Sequence, residues 1–186
     1  MRCTEDKRYT YAPSNVKCST VGDELKIVTH GKSIVYSLAA HVDYAILSAG
    51  HAANNAIWYD KRYRRWNTTT YYGASPQWLN TPLAPSTITN VDIGNKAIDI
   101  VNQERMGKDD IPDLLTITLS AALDDNESLR QQDQAEQLIY QQIDQTIAKL
   151  VTSIEQSVGK AHVLFVITGT GTSDESENDY SLYRVP

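Results

Sequence analysis

The fold is decided by the stretch Asp113-Leu114-Leu115-Thr116-Ile117-Thr118-Leu119 and by the long pattern that follows it up to residue 172. Residues 114–119 are all apolar or β-branched, which is typical of an inner strand covered on both faces of a parallel sheet. Residues 162–168, His-Val-Leu-Phe-Val-Ile-Thr, predict a second, returning strand. Two parallel strands joined by a helix form a right-handed crossover. The sequence therefore predicts an α/β fold.

The segment between these two strands predicts a long amphipathic helix. Acidic and capping residues at 124–128, among them Asp124 and Glu127, suit the positive end of a helix. Apolar residues then recur at spacings of three and four on one side. They are Ala135, Leu138, Ile139, Ile143, Ile147, Leu150, Val151, Ile154 and Val158. Gly159 is placed to end the helix in a left-handed conformation.

Ligands of open α/β sheets bind beyond the carboxyl ends of the strands, which here means residues 120–126 and 169–174. Asp124 and Glu127 are candidate ligands for a hard metal ion, although helix capping alone explains these acids. The turn Gly169-Thr170-Gly171 offers backbone N–H groups to a phosphate, but the dinucleotide-binding pattern requires a third glycine and a following helix. Thr170 remains a binding candidate.

Size and composition favour one acidic domain over residues 1–186. The net charge is -6, with 17 Lys plus Arg against 23 Asp plus Glu, and the basic residues cluster only at 61–65, which disfavours nucleic-acid binding. No apolar run is long enough for a membrane span, and the first residues lack a signal-peptide core. Cys3 and Cys18 permit one disulfide in an oxidising compartment, and two free thiols fit equally well.

The rest of the chain predicts short elements around this unit. Residues 21–28 predict a helix, 34–38 a strand and 43–48 a further extended segment. Residues 57–60 and 65–70 predict a hairpin, 75–79 a short helix and 92–106 a longer one. The acidic residues 173–186 predict a flexible tail.

Four stretches together resemble the alkaline phosphatase superfamily, in particular its bacterial phosphatase and phosphodiesterase branch. They are residues 19–25 (Ser-Thr-Val-Gly-Asp-Glu-Leu), 45–54 (Ala-Ile-Leu-Ser-Ala-Gly-His-Ala-Ala-Asn), 66–72 (Trp-Asn-Thr-Thr-Thr-Tyr-Tyr) and 113–172. They occur in the order found in that family. The resemblance implies a three-layer α/β/α sandwich with a mostly parallel sheet, of which this chain is a part, and a periplasmic or secreted location.

The resemblance also implies two-metal phosphoryl transfer, in which clustered Asp and His residues hold zinc ions. The ligand positions differ here. Residues 120–123 read Ser-Ala-Ala-Leu, Glu127 occupies a histidine position, and residues 168–172 read Thr-Gly-Thr-Gly-Thr where the family has Thr-Ala-Asp-His-Gly. The triplet His41-Val42-Asp43 replaces a phosphate-contacting Lys-Asp-Arg, which removes both cations.

These substitutions support the hypothesis of a catalytically degenerate protein with a binding or assembly role, no required cofactor and an unidentified protein or small-molecule partner. One alternative is a zinc-dependent phosphate-ester hydrolase that needs residues upstream of this chain. Another is a recognition domain that uses the aromatic hairpin of residues 57–72. The binding candidates besides Thr170 are His41 and Asp43, which share one side of an extended segment, and His51 and Asn54. For His51 a structural role is favoured, with a ring nitrogen bonded to the backbone.

Overall fold

The computed structural model describes residues 11–79, 88–121 and 129–169. Its four strands are β1 (Val35–Ala39), β2 (Asn55–Asp60), β3 (Arg65–Asn67) and β4 (Leu114–Thr118), and its four α-helices are α1 (Val21–Val28), α2 (Val42–Ala49), α3 (Asn90–Gln103) and α4 (Leu129–Val158). Short 3-10 turns lie at Thr70–Tyr72, Gln77–Leu79 and Lys160–His162. The predicted α1, β1, β2–β3 hairpin, α3, β4 and α4 are all present within a few residues of their predicted ends.

The sheet has the order β3-β2-β1-β4. β1 pairs in parallel with both β2 and β4, and the hairpin partner β3 runs antiparallel to β2. Parallel strands require a crossover, and helices supply it on the faces of the sheet. The prediction of an α/β fold with a mostly parallel sheet is confirmed.

The alternating side chains of β1 separate two apolar cores. Val35 and Ala39 pack with Ala45, Ile46 and Ala49 of α2 on one face. On the other face, the β1 residues Tyr36 and Leu38 join a larger core to which α3 and α4 contribute Ile93, Ala97, Ile100, Val101 and Leu150. The three layers predicted by the resemblance are therefore present.

The prediction that residues 43–48 are extended is wrong, because they lie in α2. The run Ala45-Ile46-Leu47 is too short for periodicity to separate a strand from a helix. Tertiary context decides between them, since the chain between parallel β1 and β2 must cross the sheet. Gly50, with φ of 72°, ends the helix in a conformation that favours glycine.

The prediction that β4 is an inner strand is also wrong. β4 lies at the edge of the sheet, and all five of its residues are only half-buried. Residues 163–169 form no strand pairing, contrary to the predicted second strand, although Val163 has extended backbone angles. A strand forms only beside a partner, and no described segment lies in register with these residues.

α4 packs mainly against α3. Gly94 of α3 lets the helices approach closely, since a Cβ atom there would lie 2.6 Å from Cγ2 of Thr146.

Some predictions concern residues that the structure does not describe, namely Asp124, Glu127, Thr170, Cys3 and the tail 173–186. These predictions, including the disulfide, stay predictions. Cys18 is exposed. None of the described helices has the length and apolar character needed to cross a membrane.

Candidate functional site

Three of the four stretches that carry the family resemblance come together around Asp23 and the loop that its carboxylate holds. Asp23 lies in the first turn of α1 and forms a capping box with Thr20: the Thr20 N–H donates to Asp23 Oδ2 at 2.9 Å, and the Asp23 N–H donates to Thr20 Oγ1 at 3.2 Å. The second oxygen, Oδ1, accepts the backbone N–H groups of His51 at 2.8 Å and Ala52 at 2.7 Å. One buried carboxylate thus joins α1 to the loop that follows α2.

The ring of His51 extends this cluster. Its Nδ1 lies 3.3 Å from Asp23 Oδ2, and its Nε2 lies 3.1 Å from the carbonyl oxygen of Val16. A carbonyl and an ionised carboxylate only accept hydrogen bonds, so both contacts are hydrogen bonds when both ring nitrogens carry protons. Both nitrogens therefore face partners within the protein, and the ring ties the segment before α1 to the loop after α2.

The third stretch reaches the cluster through Tyr72. Its hydroxyl donates to the carbonyl oxygen of Gly50 at 2.7 Å. Burial, together with the nearby Tyr71 hydroxyl and Asp23 carboxylate, raises the pKa of Tyr72 far above its usual value, so the phenol stays neutral and keeps its proton. Residues Thr20, Asp23, Gly50, His51 and Tyr72 are called the Asp23 cluster below.

Asn54 lies at the same end of the sheet and hydrogen-bonds the first residue of β1. Its backbone N–H donates to the Val35 carbonyl at 2.8 Å, and its side-chain Oδ1 accepts the Val35 N–H at 2.9 Å. Both backbone groups of the first β1 residue are satisfied by this one residue. His51 and Asn54 therefore lie before β2, at the amino end of the parallel strands.

His41 and Asp43, by contrast, follow the carboxyl end of β1. His41 is the N-cap residue of α2 and makes no side-chain capping bond, and its ring packs edge-on at 6.1 Å from the ring of Tyr44. Asp43 lies in the first turn of the helix. Residues two apart on a helix do not face each other, so the predicted arrangement on one side of an extended segment is wrong. The four described candidates do not form one site.

The carboxyl end of β4 is held by a residue that the sequence analysis missed. The side chain of Asn90, at the start of α3, donates from Nδ2 to the Ser120 carbonyl at 2.8 Å and accepts the Ser120 N–H through Oδ1 at 3.0 Å. The same strand end carries metal ligands in the family pattern. No local sequence pattern signals this contact, because its two residues lie 30 positions apart.

The described side chains do not fit a zinc centre. No group of three or more His, Cys, Asp or Glu residues comes together within residues 11–79, 88–121 and 129–169. Catalytic zinc sites take at least three such ligands. The side chains in these described ranges therefore form no zinc site of the family's kind.

The aromatic hairpin directs its large rings inward. Trp58 and Trp66 are only 4% and 7% exposed and belong to the two cores. At the tip, the guanidinium groups of Arg62 and Arg65 lie 5.4 and 5.1 Å from the centre of the exposed Tyr63 ring. Tyr63 at the tip is thus exposed, whereas the two tryptophans that motivated the recognition hypothesis are not accessible.

The Asp23 cluster predicts a loss of stability in acid. Burial alone would raise the pKa of Asp23, but hydrogen bonds from Thr20, Ala52 and His51 outweigh it and hold this pKa below the usual 3.8. A lowered folded-state pKa stabilises the protein above 3.8 and loses that contribution as the pH falls through the folded value. In urea titrations between pH 6 and 2, Asp23→Asn should show a shallower decline below pH 4 than the wild type. Equal slopes would contradict this prediction.

Comparison with solved structures identifies the fold as that of an alkaline phosphatase. The crystal structure of alkaline phosphatase PafA matches with a TM-score of 0.72 and 20% identity, over 87% of this chain and 45% of that chain. A multiply substituted variant of PafA matches equally well. No family model matches the sequence.

Sequence comparison finds two relatives named alkaline phosphatase and one with a different name. Alkaline phosphatase PhoV of Synechococcus elongatus is 39% identical over 70 residues, and PafA of Elizabethkingia meningoseptica is 34% identical over 71 residues. A calcium-transporting ATPase of Myroides odoratus is 37% identical over 90 residues. These matches cover 37–42% of this chain but only 13–16% of the relatives. The predicted relationship to part of the alkaline phosphatase superfamily is confirmed.

Proposed function

We propose that this chain is a catalytically degenerate alkaline-phosphatase-like protein that binds or assembles with a partner and does not hydrolyse phosphate esters. The observation that carries the proposal is the carboxyl end of β4, where the backbone of Ser120 is held by the neutral amide of Asn90 and is followed by Ala121. In the family pattern this strand end supplies an aspartate to the metal centre. Leu123 occupies the position of that aspartate in the family pattern, and neither an apolar residue there nor Asn90, whose amide is committed to the backbone, can take that role.

The carboxyl end of β1 supports the same conclusion. Lysine and arginine in the family pattern supply positive charge to the substrate phosphate, and His41 and Asp43 replace them. The α2 N-terminus favours a negative charge, and the Asp43 carboxylate lies in that first turn already. A second anion would be repelled by the Asp43 carboxylate, so this end is poorly suited to holding a phosphate ester.

A metal and activity measurement tests the proposal. This chain alone, and the longest expressible version of the protein that carries it, are each loaded with excess zinc and separated from free metal. Both are then assayed by mass spectrometry and with aryl phosphate monoester and diester substrates. We expect much less than one zinc ion per chain and no hydrolysis that a chelator abolishes. Two-metal phosphoryl transfer requires about two ions per chain.

PafA of Elizabethkingia meningoseptica, treated identically, serves as the positive control for loading and assay. About two zinc ions per molecule of the longer version, together with chelator-sensitive turnover, would overturn the proposal in favour of the hydrolase hypothesis. The recognition hypothesis receives no support from the hairpin geometry. On the family resemblance, we propose a periplasmic or secreted location as part of the same proposal.

A further inference from the structure

The turn between β2 and β3 concentrates positive charge. Residues 61–65, called the basic tip below, read Lys-Arg-Tyr-Arg-Arg and hold four of the 17 Lys and Arg residues of the chain. All five are exposed. The other 13 Lys and Arg residues stand against all 23 Asp and Glu residues, so the rest of the chain carries a net charge of -10. The protein therefore combines a compact cationic tip with an acidic remainder.

The backbone of the basic tip is held in place by Asp60, the last residue of β2. Its Oδ1 accepts the N–H groups of Arg62 at 2.9 Å and Tyr63 at 3.2 Å, and its Oδ2 accepts a hydrogen bond from Nδ2 of Asn67 at 3.3 Å. Arg64, with φ of 50°, lies in the left-handed region within this turn. The tip is thus a defined loop, and little ordering of its backbone opposes binding.

The side chains of the basic tip combine exposed cations with one aromatic ring. Tyr63 is 51% exposed, and the guanidinium carbons of Arg62 and Arg65 lie 5.4 and 5.1 Å from the centre of its ring. These distances are within the range of cation–π contacts. None of Lys61, Arg62 and Arg65 forms an ion pair with another of the residues that the structure describes. Within that part of the chain, their charges are available to an external anion.

We propose that the basic tip docks this protein onto a lipid bilayer whose headgroups are anionic. Each Lys or Arg side chain close to such a surface strengthens binding by a factor of roughly five. Tyrosine is enriched at membrane–water interfaces, where its ring lies among the headgroups and its hydroxyl meets water. The surface potential falls off within about 8 Å at physiological ionic strength. The cations of the tip are therefore attracted, while acidic residues further from the bilayer are largely screened.

A bilayer fits this surface better than an extended polyanion does. The basic tip is a short exposed turn, which a flat surface contacts without needing a groove. Nucleic-acid binding normally uses basic residues spread over one face or along a helix, and the charge of -10 outside the tip opposes such contact. Trp58 and Trp66 of the hairpin strands are buried, so they offer no ring on which bases could stack. The proposal therefore rests on the tip and not on the tryptophans.

Vesicle co-sedimentation with the longest expressible version of the protein tests this proposal, which does not depend on whether the protein hydrolyses phosphate esters. The probes are vesicles of phosphatidylcholine alone and mixed vesicles that also contain phosphatidylglycerol. We expect binding to the mixed vesicles only, and a steep loss of this binding as the salt concentration rises. No binding to the mixed vesicles, or equal binding to both kinds, would overturn the proposal.

The double variant Arg62→Gln with Arg65→Gln should lower the partition coefficient onto mixed vesicles about 30-fold, because two charges leave the tip. Both side chains are exposed, so circular dichroism should show an unchanged fold. The matched control is Lys17→Gln with Lys32→Gln, which gives the same net charge. These exposed lysines lie on either side of α1, toward the amino ends of the strands, whereas the tip follows the carboxyl end of β2. The control should change the partition coefficient little.

Tyr63→Ser examines the aromatic ring separately. It should weaken binding by the same factor at low and high salt, because the tyrosine ring carries no charge. Equal losses for the two double variants would show that binding follows the total charge of the protein. Binding through the tip that is tighter to polyglutamate or to a single-stranded oligonucleotide than to mixed vesicles would assign the tip to an acidic protein or to a nucleic acid. Either of these last two results would overturn the proposal.

Discussion

Replacing Asp23 with alanine should lower the free energy of unfolding by about 3–5 kcal/mol, because a buried acceptor of several hydrogen bonds is lost at once. The backbone N–H groups of Thr20, His51 and Ala52 would each lose their partner. The His51 ring would also lose the carboxylate beside its Nδ1. Urea denaturation followed by circular dichroism measures the change.

Glu24→Ala is the matched control for this substitution. Glu24 is the next residue in the same helix turn and also an acid, but it is exposed. Its removal costs only a favourable interaction with the helix dipole, typically about 0.3–1 kcal/mol. A loss of similar size for the two variants would show that Asp23 acts only as a first-turn acid and does not hold the cluster together.

Gly50→Ala should be almost as damaging. Gly50 has φ of 72°, and a Cβ atom there would lie 2.5 Å from Asp23 Oδ2 and 2.8 Å from Thr20 Cγ2. Backbone strain costs about 1–3 kcal/mol, and displacement of the carboxylate from its donors adds to it. We expect a total loss of about 3–4 kcal/mol in the same denaturation assay.

Gly31→Ala separates the two contributions to the loss expected for Gly50→Ala, which are backbone strain and displacement of the Asp23 carboxylate. Gly31 has a similar φ of 79°, and a Cβ atom there would meet nothing within 4 Å, so this variant reports the strain alone. A double variant with Asp23→Ala adds a further check, since the part of the clash at position 50 that involves the Asp23 carboxylate disappears with it, whereas the contact with Thr20 remains. The double variant should lose clearly less free energy of unfolding than the sum of the two single-variant losses. Full additivity, or equal losses for Gly31→Ala and Gly50→Ala, would contradict the proposed coupling.

The Asp23 cluster shows what the stretches that carry the family resemblance do in this chain. Three of the four stretches that carry it supply the members of this cluster, and these members bond to one another and to backbone groups. The cluster lies at the amino end of the parallel strands, away from the strand ends where catalytic residues belong. In this chain these stretches therefore join α1, α2 and the sheet.

Local sequence patterns were sufficient to predict most helices and strands. The capping box of Thr20 and Asp23 marks the start of α1, and a second one formed by Thr89 and Asp92 marks the start of α3. The apolar periodicity of residues 135–158 identifies α4, and the unbroken β-branched run identifies β4. These signals depend on interactions within a few residues of one another, so they are legible in the sequence.

The candidate site was much less predictable. His41 and His51 are only ten positions apart, yet α2 carries the chain across the sheet between them and leaves them at opposite strand ends. Residues 43–48, which lie in α2, were compatible with a strand in the sequence analysis, so the sequence did not predict this separation. The contact of Asn90 with Ser120 joins residues 30 positions apart, and no local pattern announces it.

The sequence by itself determined the α/β class, the long helix and the presence of strand-forming runs at 114–118 and 163–168. Only the tertiary structure decided which of these runs is a strand, because a run with strand propensity forms a strand only when a neighbour satisfies its backbone groups. β4 has such a neighbour in β1, whereas residues 163–168 have none among the described residues. Pairing is a property of two segments, and a pattern within one of them cannot specify it.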